Sequence, residues 1–549
     1  MDDQVRTNGW VTTKVREIAN LVRGITYNKE QASKIPSSDF KPVLRANNIN
    51  GALNFDDLVF VPQHLINSEQ IIRTGDIIFA MSSGSKHLVG KSARARCDFD
   101  GSYGAFCGLL RAHKYMDKDF LYYIFQNNKF RRLISEVAKG SNINNLKREH
   151  ILDFEIVLPP LPEQHRIVAK IEELFSELDK GIENLKTAHA QLKVYRQALL
   201  KHAFEGKLTA QWRTERHAKQ SVAPAKAGAQ PLNDMDSRLP PAFARVTGND
   251  KPLESADTLL KRIQQERAQR YQQQLADWEA SGKQGSKPKP PKTLPPLSAE
   301  ELAELPELPE GWGWFRLVDF SDISGGLTKN QKRSSLPIKR PFLRVGNVYA
   351  NRLELEDMHE TGISEAEIER VTLAKGDILV VEGNGSVDQI GRVAIWNGAI
   401  DGCVHQNHLI KARPFNLVRS EFILHFLMSE LGRKFIVRSA SSTSGLHTLS
   451  ISKVESLFVP LCEIEEQDIL LSELSSKLSL ADQLDQTITT ALQQAEALRQ
   501  SILKKAFSGQ LVPQDPNDEP ASELLARIRA ERDAPSAKPK LTNTTRKSL

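Results

Sequence analysis

The chain is written twice, and this limits what it can fold into more than any other feature. Read from Gly9-Trp10 and again from Gly311-Trp312, the same landmarks return at an offset close to 302 residues. Trp10, Gly24 and Thr26 meet Trp312, Gly326 and Thr328; Leu44-Arg45 and Asn48 meet Leu343-Arg344 and Asn347. Gly75-Asp76-Ile77 meets Gly376-Asp377-Ile378, Gly90-Lys91 meets Gly391-Arg392, and Glu163-Gln164 meets Glu466-Gln467. Ala203-Phe204 and Gly206 meet Ala506-Phe507 and Gly509. Copies this long are not solenoid units but domains, and a chain with two similar halves suits a partner that presents two sites.

At 549 residues the chain exceeds one hydrophobic core. Its net charge of +6 is weak support for a polyanionic partner, but the charge is unevenly placed. Residues 10–157 hold 21 basic and 15 acidic side chains, net +6, whereas residues 312–459 hold 18 and 16, net +2. Four scattered cysteines without a CxxC pair suit a reducing compartment. The acidic, polar start Met1-Asp2-Asp3-Gln4 is no secretory signal, and no apolar run approaches the roughly 18–20 residues of a membrane span. The expected location is the cytoplasm, away from any membrane.

Residues 10–157 alternate short apolar runs with Gly, Asn and Asp turns. Asp76–Ala80 and Phe154–Leu158 read as strands, and Phe120 to Ala138 reads as one helix. Residues 312–459 repeat this order, with a helix from Glu421 to Val437. The fold class is therefore mixed, α/β or α+β. From Glu163 to Phe204 the texture changes. Ile171, Leu178, Leu185, Leu192 and Leu199 form one heptad series; Ile167, Leu174, Gly181, Ala188 and Tyr195 form another. The second copy gives Leu474, Ala481, Ile488, Ala495 and Ile502, with Leu470, Leu484, Ala491 and Leu498. These are the seams of two long helices that pair as an antiparallel coiled coil. The expected layout is a globule at 1–157, a rod at 158–208, a Pro/Gln-rich linker at 209–310, a second globule at 311–458, a second rod at 459–512, and a short helix with a disordered tail at 513–549. The linker carries 12 of the 27 prolines and is interrupted by a helix from Ser255 to Ala280, which is echoed by Leu524-Leu525 to Arg532.

No catalytic motif survives inspection. Gly84 to Ser92 has one residue too many between its glycines for a phosphate loop, and its repeat partner lacks Lys-Ser. Cys403, His405 and His408 lack a fourth ligand, and the first copy has no counterpart, so no metal site is assigned. What remains is recognition chemistry. Arg45, Asn47 and Asn48, and Arg344 with Asn347, place guanidinium and amide groups together. Ser85, Lys86, Lys91, Arg94 and Arg96 form a basic Gly/Ser-rich stretch; Asn142, Asn144 and Lys147 form another; Asn384, Ser386, Gln389 and Arg392 are the second copy's counterparts. Arg and Asn suit base edges because each can make two hydrogen bonds at once, while Lys and Ser suit phosphates. Taken singly, each of these residues reads better as a turn former or a solvated surface group than as a DNA contact.

The arrangement resembles the specificity subunit of Type I restriction–modification systems over nearly the whole chain. The marks are Leu158-Pro159-Pro160-Leu161-Pro162-Glu163-Gln164 with Ala203-Phe204-Glu205-Gly206-Lys207-Leu208, and Val459-Pro460-Leu461, Glu466-Gln467 and Ala506-Phe507-Ser508-Gly509-Gln510-Leu511. Glu304–Trp312 is similar to the start of that family's second domain. The resemblance implies two target-recognition domains, each reading half of a split site in double-stranded DNA. It also implies that methylation and cleavage belong to methyltransferase and restriction subunits, which would carry S-adenosylmethionine, ATP and magnesium; this chain would hold no cofactor. Cys462-Glu463-Ile464 departs from the pattern and shifts the expected start of the second rod. The rival class is a scaffold of two protein-binding globules on a coiled coil; a fused restriction enzyme is disfavoured by the missing catalytic motifs.

If the rods act as a ruler, adding one heptad to both lengthens the spacer by about 10 Å at 1.5 Å per residue, roughly three base pairs. Deleting part of 283–297 should leave the spacing untouched. The gap between methylated half-sites is the measurement; an unchanged gap after rod extension, or a changed gap after the linker deletion, overturns the ruler.

Overall fold

The computed structural model describes residues 9–83, 89–137, 144–221, 254–283, 287–384, 386, 389–443 and 446–533. It falls into two compact units, residues 1–187 with 487–549 and residues 188–486.

The centre of the first unit is an antiparallel sheet in the order Ala19–Arg23, Cys107–Ala112, Ile77–Ala80, Ser92–Arg94. All four residues of Ile77–Ala80 are buried, as their uninterrupted apolar run requires. A second sheet joins Phe40–Leu44 to Val59–Pro62 antiparallel and to Ser102–Tyr103 parallel. Val11–Lys14 pairs with Glu155–Leu158, so the globule's first strand closes against its last. The second unit repeats the design. Its central sheet runs Ser321–Gly325, Leu409–Pro414, Ile378–Val381, Val393–Ile395, and Gly313–Arg316 pairs with Phe458–Leu461.

The repeated landmarks have structural causes. Asp76 is 3% exposed and takes both Nε and Nη2 of Arg111 at 2.9 and 2.6 Å, while its Oδ2 accepts from the Arg73 amide. Asp377 does the same with Arg413 at 2.6 and 2.7 Å and with the Ala374 amide. The doubled Gly-Asp-Ile is thus a fork-to-fork ion pair that pins the turn before the central strand to its neighbour. Gln164 and Gln467, both fully buried, donate to the carbonyls of Pro159 and Cys462 and accept from the amides of Asp117 and Arg419. They fix the angle at which each long helix leaves its globule. A Cβ at Gly24 or Gly326 would lie 2.1 Å from the Gly104 or His405 carbonyl oxygen, so only glycine fits there.

The helix read from Phe120 to Ala138 is two helices, Lys118–Gln126 and Asn128–Val137, and its counterpart is Ser420–Met428 followed by Glu430–Ser439. The breaks fall at Asn127 and Ser429, both in extended backbone. The Asn127 side chain accepts from the Lys129 amide, and that of Ser429 accepts from the Gly432 amide. These short polar side chains outcompete the helical ladder, which apolar periodicity does not register.

The long helices are Leu161–Phe204 and Ile464–Phe507, each 44 residues. They run antiparallel: Asp179 pairs with Arg499 in the first unit, and Arg196 pairs with Asp482 at 2.6 Å in the second. The seam is narrower than the heptads suggest. Ile171, Leu192, Leu199, Leu474, Ala481, Ala495 and Ile502 are buried, but Tyr195, Leu484 and Leu498 are exposed by 47, 49 and 52%. A two-helix pair covers only one stripe of each partner, so the second series is buried only where a globule meets the helix, as at Ile167 and Leu470, both fully buried.

Each core is assembled from distant segments. The first unit's core takes Ile502, Leu503 and Ala506 from the second long helix and Leu524, Leu525 and Ile528 from the helix Ala521–Asp533. The second unit's core takes Leu199, Leu200, Ala203 and Phe204 from the first long helix and Leu259 and Ile263 from the helix Ala256–Ala280. Phe204 meets Phe422 edge-on at 5.2 Å, and at the equivalent place Phe507 meets Phe120 at 5.6 Å. The amides of Ala256 and Ala521 donate to the Gly311 and Gly9 carbonyls, both at 2.9 Å. Much of the described part of 209–310 is therefore packed rather than loose. Thr209 and Arg213 bind the buried Glu466, and Arg267 donates to the Val318 and Asp319 carbonyls. Residues 534–549, expected to form a disordered tail, lie outside the described residues.

Phe204 is 7% exposed and Val194 is 69% exposed on the same helix. Phe204→Ala should lower the unfolding free energy by about 3 kcal/mol, while Val194→Ala should change it by less than about 0.5 kcal/mol. Urea titrations of the full chain compare the two.

Candidate nucleic-acid interface

Two stretches that are far apart in sequence meet at the end of the central strand of each globule. In the first, Ser82–Ser83 pairs antiparallel with Asn144–Asn145, and the Leu146 amide donates to the Met81 carbonyl at 2.7 Å. In the second, Gly383–Asn384 pairs with Leu446–Thr448, which also pairs with Ser441–Thr443; the Leu449 amide donates to the Glu382 carbonyl at 2.7 Å. The two Gly/Ser/Asn-rich stretches of each copy are thus one ribbon. The two-stranded ribbon of the first copy is narrow enough for the DNA major groove, while the second copy adds a third strand, Ser441–Thr443; small polar residues let the backbone approach bases and phosphates closely.

Beside the ribbon's foot stand Lys91 and Arg392. Their carbonyls accept from the amides of Ala80 and Val381, both at 2.9 Å. The Lys91 ammonium donates to Asn50 Oδ1 at 2.7 Å. In the second globule the equivalent partner is aromatic: the Arg392 guanidinium lies 5.4 Å from the Tyr349 ring, with Arg352 4.8 Å from the same ring. Asn50 and Tyr349 hold corresponding places in the hairpins Ile49–Leu53 and Val348–Leu353. The backbone frame is the same, while the groups it presents differ. Arg392 also donates to Gln389 Oε1 at 3.3 Å, and Gln389 and Ser386 are exposed.

Several expected contact residues have other tasks. Asn48 is 1% and Asn347 4% exposed. Their Oδ1 atoms accept from the Arg45 and Arg344 amides at 2.8 and 3.0 Å; their amide nitrogens donate to the Asp56 carbonyl and to those of Glu354 and Asp357. Both ends of each amide are engaged in the turn, and both side chains are buried. The Arg-x-x-Asn signal marks a capped 3₁₀ turn. Arg45 and Arg344 close these turns through the carboxylates and carbonyls of Asp57 and Asp357. Asn47 stays exposed on its turn. The Arg94 side chain is only 12% exposed, between Asp119, Glu172 and the rings of Tyr122 and Tyr123. Burial opposes its charge, but the two carboxylates outweigh burial and hold the guanidinium pKa above its usual value. It braces the globule against the long helix. Arg96 is exposed and shares with Tyr122, Arg131, Lys180 and Lys186 an open groove of about 1270 Å³. Lys147 is exposed at the start of the helix Arg148–Leu152. Asn144 and Asn384 lie in the ribbons; Ser85, Lys86 and Asn142 are outside the described residues.

The Cys403, His405 and His408 group disperses. His405 is fully buried with Nδ1 at the Leu409 carbonyl, and burial brings its pKa down to about 4. His408 is exposed and meets Glu382 at 2.8 Å. Sequence reasoning passed over Asn50, Tyr349, Arg352 and Phe106. The signal available was their position in the repeat, where equivalent places carry different chemistry.

The Type I restriction modification DNA specificity domain matches residues 7–187 and 309–494. The chain is 29% identical to the Type I restriction enzyme EcoKI specificity subunit of Escherichia coli (strain K12), covering 96% of this chain and 97% of that one. It is 30% identical to the StySPI specificity subunit of Salmonella potsdam, covering 95% and 96%. A solved structure from work on the assembly and conformational transition of the type I R-M system shares the fold, with a TM-score of 0.57 at 17% identity over 92% of this chain and 98% of that one. The chain belongs to the family of Type I restriction–modification DNA specificity subunits. As such it recognises DNA sequence, works in a complex with methyltransferase and restriction subunits, and is not itself catalytic. Among the described residues no helix is long and apolar enough to cross a membrane.

Asn347→Ala should destabilise the second unit by about 1–3 kcal/mol by leaving buried backbone groups unpaired. It should not relax any base position in the methylated sequence. Denaturation together with methylome sequencing checks both, and a relaxed base at unchanged stability would return Asn347 to the interface.

Proposed function

We propose that the chain reads a two-part, asymmetric DNA site, one half at each ribbon. The observation that carries this is the repeated ribbon foot: one backbone frame presents Lys91 with Asn50 in the first globule and Arg392 with Tyr349 and Arg352 in the second. Equal frames with unequal donors address two half-sites of different sequence. Asn47, Lys91, Arg96, Lys147, Ser386, Gln389 and Arg392 are exposed or half-exposed; Asn144 and Asn384 lie in the ribbons, and Ser85, Lys86 and Asn142 are their neighbours in sequence. Residues 1–157 and 311–458 are the two target-recognition domains, with the rods 158–208 and 459–512 between and after them. The partner subunits carry S-adenosylmethionine, ATP and magnesium, and the complex works in the cytoplasm.

The test exchanges residues 312–458 for those of a relative, in complex with the methyltransferase subunits. Methylome sequencing should show one half-site changed and the other kept. Both half-sites changing together overturns modular reading. Binding that is independent of both sequence and salt would favour the scaffold reading instead.

A further inference from the structure

The turn on the other side of each ribbon foot presents a flat ring to solvent. In the first globule the Phe106 carbonyl accepts from the Met81 and Ser82 amides at 2.8 and 3.1 Å, and the turn is closed by Cys107 N–H to the Gly104 carbonyl at 2.8 Å. In the second, the His408 carbonyl accepts from the Glu382 amide at 2.9 Å, and Leu409 N–H closes the turn on Gln406 at 2.9 Å. Phe106 is 68% exposed and alone in being exposed among residues 101–110, which otherwise enter the core. His408 is likewise alone among residues 402–410. A bare Phe ring at this exposure gains nothing from water. A ring recurs at the same place in the repeat although the residue type differs. The shared property is a flat π-face beside the ribbon.

We infer that Phe106 and His408 are stacking residues, each inserting its ring against a base face that is unstacked in the half-site its globule reads. This rests on the ribbon being the DNA-reading element. A phenyl ring has no hydrogen-bonding edge, so Phe106 holds a base face without selecting its edge pattern. His408 is steadied through Nδ1 by Glu382 at 2.8 Å and keeps Nε2 for a base edge or phosphate. The first half-site is therefore held partly by shape and the second partly by a polar contact.

The experiment uses the complex of the chain with its methyltransferase subunits. The probes are a duplex carrying the site that methylome sequencing defines, and the same duplex with both half-sites scrambled. The range for an aromatic ring on an unstacked base sets the expected loss: Phe106→Ala should weaken binding of the site duplex by roughly 5- to 150-fold. Phe106→Leu should weaken it similarly, and Phe106→Tyr should bind like the parent. With Phe106→Ala the methylated motif should keep its bases, and His408→Phe, which keeps the ring but loses the Nε2 contact, should bind more tightly than His408→Ala and less tightly than the parent. Unchanged binding by Phe106→Ala overturns the inference. So does relaxation at a single base, which would make Phe106 an edge contact, and so does loss of complex assembly on size exclusion with DNA binding intact, which would make it a protein contact. Lys91→Ala and Ser82→Ala are the controls for the underlying reading. If they weaken binding and Phe106→Ala does not, only the stacking role fails; if none of the three changes binding, the ribbon itself is misassigned.

Discussion

The aromatic end of each long helix is buried in the globule of the opposite copy. Phe204 lies against Phe422, and Phe507 lies at the equivalent place against Phe120. Apolar burial is the dominant favourable term in folding, and here it is contributed by residues hundreds of positions apart. Neither globule has a complete core without a helix end from the other copy. Residues 188–486 form one unit from continuous sequence, whereas the other unit is made from both ends of the chain. The pairing of Gly9 with Ala521 and of Gly311 with Ala256 shows the same join made once between termini and once within the chain.

Around this join the two copies have diverged in a graded way. The buried fork of Asp76 with Arg111 is kept as Asp377 with Arg413, and the helix-start glutamines keep both of their hydrogen bonds. These groups sit where an unpaired partner would be costly. One core position shows how far divergence goes. Lys411 stands in strand register where the first copy has Leu109; burial brings its pKa down to about 8, and its ammonium donates to the Arg370 and Thr372 carbonyls. At the ribbon foot, where side chains meet solvent, Lys91 and Asn50 are replaced by Arg392 and Tyr349, while the Ala80 and Val381 amides keep the same bond to the Lys91 and Arg392 carbonyls. The frame is constrained by packing and the presented chemistry is not. A protein that must hold one geometry while reading different sequences needs that separation.

The repeat, the mixed globules and the two rods were legible in the sequence because each rests on periodicity or on residues that recur at fixed spacing. The resemblance to specificity subunits was legible for the same reason, since its marks are local runs around the helix ends. The candidate site was legible only in part. Asn48 and Asn347 looked like base readers because an Arg-Asn cluster carries the right donors; the fold spends both on a turn. Arg94 looked like a free cation and is held by Asp119 and Glu172. Tyr195, Leu484 and Leu498 fit a heptad, yet nothing faces them.

The sequence by itself determined that there are two readers, that a pair of heptad-patterned helices accompanies them, and that recognition rather than catalysis is their chemistry. Tertiary structure alone decided which copy's helix completes which core, because apolar patterning says that a face must be covered and not by what. It also decided that Ser82 and Asn145, 63 positions apart, form one ribbon with Lys91 on one flank and Phe106 on the other. Backbone hydrogen bonds between strands carry no residue-type signature, so this juxtaposition could not be seen until the chain was folded.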